Sequence, residues 1–418
     1  MDGRDDAANS TRNQLVELAR RTLTHTAAGT VPLATSVGRV PAEAYLDPER
    51  WALEMERVFR RCPLVVALSA QVADPGSYAA LEVLDTPILV ARDGDGALRA
   101  FLNVCSHRGA IVVAPGTGSA RRFACPYHAW TYDPSGQLVG ILDREDFGEV
   151  DPDALGLRPL SCEERAGLVF VGIDPDQALD LDTHLCGYDL PLGHLGLADG
   201  WYMGSQRIGG PNWKLAYDGY LDLYHLPILH RDTFGTDISN KAIYDAWGPH
   251  QRVSSPDRRL LALQDQPPEQ WPDDVITAGV WTVFPHVSIA AFPLRLPDRP
   301  SGSRPVTVHM VSMLYPGSTQ AESSTVQHFV VDTEPDEQIT QAVAAQQAFL
   351  LHVVRDEDYA TGLAIQRGLA TGARTEVLFG RNEQGGQRFH GWLDALVELP
   401  EAGQTKARFE AATTEFQT

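Results

Sequence analysis

The chain predicts an α+β protein, with a small all-β domain followed by an antiparallel-sheet domain flanked by helices. Three observations carry this. Between Pro63 and Phe170 the sequence breaks into short β-rich runs separated by turn signals such as Asp93-Gly-Asp-Gly and Asp133-Pro-Ser-Gly. Farther on, three longer strand-like runs follow at hairpin spacing: Val280–Phe292, Val306–Tyr315 and Ser324–Asp332. A long helical pattern then runs from Pro335 to Gly368, and strands followed by helices build an α+β layer structure.

Taken in order, residues 1–45 form an N-terminal helical segment, with Thr11-Arg-Asn-Gln-Leu-Val-Glu-Leu-Ala-Arg-Arg opening a helix. Residues 46–178 form the β domain. It begins with a helix from Pro48 to Phe59, which lines Trp51, Met55 and Phe59 along one side. Asp47 is its N-cap, because Pro suits the first helical position. Its strands are Leu64–Ala67, Ala80–Val83, Pro87–Ala91, Leu98–Val104, Arg121–Ala124, Thr131–Tyr132 and Leu168–Val171. Residues 179–418 form the sheet-and-helix domain, with a helical stretch over 212–230 and a Pro/Ser/Arg loop near 297–305.

At 418 residues the chain has room for two or three domains. Its formal charge of −21 excludes nucleic acid, whose phosphates demand basic patches, and disfavours an anionic membrane surface. No stretch approaches the roughly 18–20 apolar residues of a membrane span. The opening Met1-Asp-Gly-Arg-Asp-Asp lacks the apolar core of a signal peptide. Five scattered cysteines make no disulfide framework, so a reduced cytoplasm is expected, with Cys62, Cys162 and Cys186 as small packed residues.

Two segments carry chemistry. Cys105-Ser-His107-Arg-Gly is followed, after seventeen residues beyond His107, by Cys125-Pro-Tyr-His128. Each loop offers one thiolate and one imidazole, the set that holds a 2Fe–2S cluster with two Cys on one iron and two His on the other. The alternative is a structural zinc site. Zinc fingers pair Cys with Cys and His with His at short spacing, whereas each loop here mixes them.

The second segment runs Asp222-Leu-Tyr-His225-Leu-Pro-Ile-Leu-His230. On a regular helix these histidines would point about 140° apart, so a kink at Pro227 is needed to bring them together. Two packed histidines without a metal are the alternative. A third ligand is available in Arg355-Asp-Glu-Asp358, where helical spacing aligns Asp358 with Leu351, Val354, Gly362 and Ile365. Periodicity leaves Asp356 and Glu357 open as the binding acid. Two histidines and one carboxylate with open positions suit non-haem Fe(II) that activates O2.

Together these motifs closely resemble the α subunits of Rieske non-haem iron oxygenases, the ring-hydroxylating dioxygenases and related monooxygenases and demethylases. The resemblance covers nearly the whole chain, including Asn212-Trp-Lys. It implies a Rieske domain over 46–178, with Cys105, His107, Cys125 and His128 on the cluster, and a catalytic domain over 179–418. His225, His230 and Asp358 are then the Fe(II) ligands, Asp358 being selected because it lies eight residues before Gln366. Asp222 becomes a catalytic bridge in a head-to-tail homotrimer, accepting from its own His225 and from His128 of a neighbouring subunit. Two departures stand out. Tyr217-Asp218 replaces a Glu-Asn pair common in the ring dioxygenases, which puts Asp218 near the expected iron pocket. Ala129 stands where Gly is usual, a change expected to leave the ligands intact.

The sheet that would wall the pocket carries Trp281, Phe284, His286, Phe292, His309 and His328. Phe284-Pro-His286 resembles a Phe-Pro-Asn element of the family, which makes His286 the pocket candidate beside Asp218. The implied function is that of a terminal oxygenase. Electrons originate in NAD(P)H and arrive through a separate reductase, with or without a ferredoxin, because no dinucleotide fingerprint is present. They pass from cluster to Fe(II), and O2 hydroxylates an aromatic or other apolar ring by cis-dihydroxylation or monooxygenation. Oxidative demethylation of a methylated amine or ether is the alternative. An electron carrier without oxygenase activity and a zinc hydrolase are the readings from other classes. A smaller β subunit is compatible with all the oxygenase readings.

Overall fold

Where apolar side chains alternate, the chain pairs into antiparallel sheets. The computed structural model describes residues 2–235, 238–256, 258–296 and 305–415, so most of the loop near 297–305 lies outside the described residues. The chain divides into two units. One comprises Met1–Val58, Asp182–Gly196 and Gly200–Thr418; the other comprises Phe59–Leu181 and Leu197–Asp199. The N-terminal segment is therefore part of the larger unit, and Pro48–Glu54 goes with it instead of opening the β domain. Long-range bonds explain this: Arg12 donates to the carbonyls of Pro268 and Trp271, and the Tyr45 carbonyl accepts from Asn212 Nδ2. As expected, Asp47 caps Pro48–Glu54, its side chain accepting from the Glu49 amide.

The smaller unit is all-β. Pro159–Leu160, Leu98–Leu102, Thr86–Arg92, Ser77–Val83 and Gly116–Ser119 form one antiparallel sheet in that order. Cys162–Arg165, Leu168–Val171 and Leu64–Leu68 form a second, and Phe123–Ala124, Thr131–Tyr132 and Leu138–Gly140 a third. Phe101, Phe123, Trp130 and Tyr132 pack around Cys105 and Cys125, so the two thiols sit inside the core.

The larger unit is built on a seven-stranded antiparallel sheet. Its strands are β1 (Trp201–Gly210), β2 (Ile243–Trp247), β3 (His250–Ser254), β4 (Val280–Val283), β5 (Val287–Pro293), β6 (Thr307–Pro316) and β7 (Ser323–Val331). They lie in the order β1-β7-β6-β5-β4-β3-β2. The run expected as one strand, Val280–Phe292, is two, joined at the Phe284-Pro285 turn. Against one face pack α1 (Trp213–Leu221), α3 (Glu337–His352) and α4 (Ala360–Ala370), with α2 (Leu226–Leu229) following α1 in the chain. Val308, Met310, Phe329 and Val331 from the sheet pack against Ile339, Val343 and Leu350 of α3. Burying such side chains contributes about 1.5–3 kcal/mol each relative to exposure.

Two helical expectations change. The stretch over 212–230 is not one kinked helix: α1 ends at Leu221, Asp222 is extended (φ −112°, ψ 118°), and α2 restarts after His225. Pro227 lies in the first turn of α2, where no amide donor is needed. The long helix is also interrupted, since Val353–Tyr359 is π-helical between α3 and α4. Of the residues expected to share a face with Asp358, Val354 and Gly362 are buried while Ile365 is exposed. No helix among the described residues is long and apolar enough to cross a membrane.

Candidate metal centres

The two Cys/His loops share one construction. The Cys105 amide donates to Ala110 O and the Gly109 amide to Cys105 O; Cys125 and Trp130, Ala129 and Cys125 repeat the pattern. The fifth residue of each loop is left-handed, Gly109 at φ 77° and Ala129 at φ 56°, which gives a physical reason for Gly at this position. The rings of His107 and His128 lie 4.7 Å apart between centroids, and His107 stacks on Trp130 at 4.8 Å. Their Nδ1 atoms are buried without a hydrogen-bond partner among the described residues. An unmet buried donor or acceptor costs about 1–3 kcal/mol, so two on converging loops call for a ligand. The Tyr132 hydroxyl accepts from the Ser106 amide at 2.9 Å and lies 3.3 Å from Cys105 Sγ. Burial and that thiol push its pKa up to about 12, which keeps it a neutral donor. Two buried thiols and two orphaned imidazole nitrogens fit a 2Fe–2S cluster.

In the larger unit, ligand atoms of His225, His230 and Asp358 lie within 4.8 Å of one another. His230 Nε2 is 3.0 Å and His225 Nε2 3.6 Å from Asp358 Oδ1. The other ring nitrogens are held by carboxylates: His225 Nδ1 by Asp222 Oδ2 at 3.0 Å, His230 Nδ1 by Glu357 Oε2 at 2.6 Å. Thr233 Oγ1 also donates to Glu357. This leaves both Nε2 atoms facing Asp358, the arrangement in which an outer carboxylate orients a metal-binding imidazole.

The π-helical segment separates the three neighbouring acids left open by periodicity. Asp358 faces the histidines and Glu357 lies behind His230. Asp356 turns outward to Arg355 and His352, which hold its carboxyl well below the usual carboxylate range. Burial disfavours a charged His230, yet Asp358 and Glu357 outweigh it and raise its pKa. Such a demand for positive charge, with an N,N,O donor set, fits a divalent metal.

Comparison with known proteins agrees with both centres. A model of the Rieske [2Fe-2S] domain matches residues 62–147, and a model of the ring hydroxylating alpha subunit catalytic domain matches residues 203–399. The chain belongs to the α subunits of the Rieske non-haem iron oxygenases. Benzene 1,2-dioxygenase subunit alpha of Pseudomonas putida is 32% identical over 197 residues, covering 45% of this chain and 43% of that protein. The match thus spans under half the length of that relative. Choline monooxygenase of Beta vulgaris is 28% identical over 376 residues, 86% of this chain and 77% of that protein. The quaternary ammonium Rieske monooxygenase CntA, solved with L-carnitine, shares the fold with a TM-score of 0.70 at 22% identity, over 87% of this chain and 96% of that one.

Within this member of the family, Asn212-Trp-Lys is a bracket. Asn212 Oδ1 caps α1 through the Lys214 amide, its Nδ2 donates to the carbonyls of Tyr45 and Gln320, and its own amide donates to Gln366 Oε1. Trp213 Nε1 and Lys214 Nζ both donate to buried Glu54. Gln366 thereby ties α4, and the Asp358 segment before it, to the start of α1.

The two pocket candidates lie elsewhere. Asp218 is on the side of α1 away from the sheet, bonded by the Tyr45 hydroxyl at 2.8 Å and by His390 Nε2 at 3.0 Å. His286 is buried with its ring 5.0 Å from that of Tyr315, and burial pushes its pKa down to about 3. By alternation along β6, Tyr315 faces away from the helices. Trp281, His309 and His328 share that far face, whereas Phe292 packs on the helix side. Glu357, which periodicity leaves open as a ligand, instead orients His230 through its Nδ1. A buried polar row across the sheet carries no sequence signal, because its members are distant in sequence and only register aligns them.

Proposed function

We propose that this chain is the terminal oxygenase of a Rieske system. The observation that carries the reading is the convergence of His225, His230 and Asp358 in a protein that also presents the paired Cys105/His107 and Cys125/His128 loops. When bound, the cluster supplies one electron at a time and Fe(II) supplies O2 activation. The chain's own contribution is orientation. Asp222 and Glu357 fix the two iron-site imidazoles, and Asp358 adds the charge that makes the site selective for a cation.

In a head-to-tail homotrimer, Asp222 would also accept from His128 of the partner subunit, so that one carboxylate joins the cluster of one chain to the iron of the next. Electrons reach the cluster from NAD(P)H through a separate reductase, with or without a ferredoxin. The substrate is a small molecule, either an apolar ring or a methylated amine. Coverage favours the second: choline monooxygenase aligns over 86% of this chain, the benzene dioxygenase subunit over 45%.

The test is iron and acid-labile sulfide per chain on anaerobically purified protein, with a visible spectrum. About three irons and two sulfides are expected. Asp358→Ala should leave about two of each. Zinc without sulfide would overturn the reading, and two irons in the wild type that Fe(II) cannot raise to three would leave an electron carrier.

A further inference from the structure

One row of side chains crosses the helix-covered face of the seven-stranded sheet. Paired registers align Gln251 (β3), Thr282 (β4), Ser288 (β5), Ser312 (β6), Gln327 (β7) and Gln206 (β1). The first five are at most 1% exposed. A sheet face buried under helices ordinarily carries apolar side chains, and the next row on this face does: Val280, Ala290, Met310 and Phe329.

The polar row is also short of partners. Gln251 Oε1, Ser288 Oγ, Ser312 Oγ and Gln327 Nε2 have no hydrogen-bond partner among the described residues. The buried Tyr220 hydroxyl descends from α1 to meet Ser312, Gln327 and Tyr359 side chain to side chain, none of these contacts being close enough for a full hydrogen bond. Amide orientation is settled at one end: Gln206 Nε2 donates to Gln347 O and to Gln327 Oε1, which leaves Gln327 Nε2 for the row. Buried polar groups this poorly satisfied leave bonding capacity for a ligand, since an unmet group costs about 1–3 kcal/mol. The row lies by the metal centre, since Tyr220, which contacts Ser312 and Gln327, also feels the charge of Asp358.

The chemistry of the groups selects the ligand. Gln327 Nε2, two serine hydroxyls and a tyrosine hydroxyl are donors, no Lys or Arg lies in the row, and Asp358 is near. An anion would find no counter-charge, whereas an uncharged oxygen acceptor would find several donors. We propose that this row is a polar subsite of the substrate pocket: the substrate carries a hydroxyl or carbonyl oxygen that bonds to Gln327, Ser312 and Ser288. That the ligand is a substrate rests on the oxygenase reading above.

Matched probes test this by calorimetric titration of the anaerobic holoenzyme: 1-indanol against indane, and choline against tetramethylammonium. The oxygen-bearing member of one pair should bind at least about tenfold more tightly than its twin. Ser312→Ala and Gln327→Leu should each weaken it about five- to a hundredfold while leaving its twin unchanged. Ser288→Ala serves where either variant melts earlier than wild type. Which pair responds tells a ring alcohol from an amino alcohol. Equal binding of the twins, a preference that survives the substitutions, or no binding of either oxygenated probe overturns the subsite and leaves the row as a water site. Iron and sulfide are counted on the same samples, so loss of the oxygenase reading would show there while the binding preference stood or fell by itself.

Discussion

Glu357 offers the sharpest test of how the iron site is built. Its Oε2 lies 2.6 Å from His230 Nδ1, and its side chain is 16% exposed, so this is a charge-assisted hydrogen bond partly shielded from water. Such bonds are worth about 1.5–3 kcal/mol. At about 1.4 kcal/mol per factor of ten, Glu357→Ala should weaken Fe(II) binding about 10- to 100-fold, the range seen when outer-shell partners of metal ligands are lost. Glu357→Gln keeps an acceptor but not the charge, so about 3- to 10-fold is expected. The assay is competition with a chromogenic chelator under anaerobic conditions, with the cluster's visible absorbance as a check on folding. Wild-type affinity in Glu357→Ala would refute the orienting role. Complete iron loss there, with iron retained in Asp358→Ala, would show that the two acids exchange roles.

Other outcomes follow from the same geometry. His107→Ala should abolish the visible cluster spectrum, and a wild-type spectrum would remove that ligand. Asp222→Asn should keep both metals loaded yet slow electron delivery to the iron in single-turnover kinetics, so full speed would defeat the bridge. Ala129→Gly should stabilise the cluster unit by roughly 0.5–1 kcal/mol, since a left-handed Ala costs about 1–2 kcal/mol and Gly gives back part of that in chain entropy; a fall in melting temperature would contradict it. Acid should weaken the catalytic unit. Burial pushes the pKa of His250, His309 and His328 down to about 4, so below 6.5 the unfolded chain takes up protons that the fold refuses. Stability from each is full above pH 6.5 and falls by about 3 kcal/mol as pH drops to 4. Urea midpoints that stay level over that window would exclude neutral buried histidines.

The parts of this protein legible in its sequence are those where neighbouring residues do the work. The Cys105/His107 and Cys125/His128 loops are local constructions closed by their own backbone bonds, so spacing alone exposes them. Strands such as Thr86–Arg92 and Leu168–Val171 announce themselves by composition. By contrast, β1 reads Trp-Tyr-Met-Gly-Ser-Gln-Arg-Ile-Gly-Gly, weak in β-formers and broken by a register shift between Tyr202 and Ser205. It is a strand because β7 supplies its ladder, a long-range cause that local propensity does not contain. Asp218 misled for a similar reason. Its place on α1 was readable, but its partners Tyr45 and His390 lie 173 and 172 residues away.

The metal site and the substrate site differ in the same way, which explains why one could be read and the other not. A ligand set tolerates little variation in residue type, so two histidines and an acid remain visible even when the helix carrying Asp358 changes its turn. The π-helical segment is what makes adjacent acids useful: Glu357 reaches the far nitrogen of His230 while Asp358 reaches the near one. The proposed substrate subsite rests instead on which side chains share a sheet face. That is a matter of register, and a slip of one residue would exchange Ser312 for Val311 or Met313 on the helix side. Residues from Gln206 to Gln327 on six strands meet in one row only after every pairing is set. As the proposed subsite, that row would bear on the substrate in a way that no motif does, and its polarity would favour an oxygen-bearing molecule over a bare hydrocarbon ring.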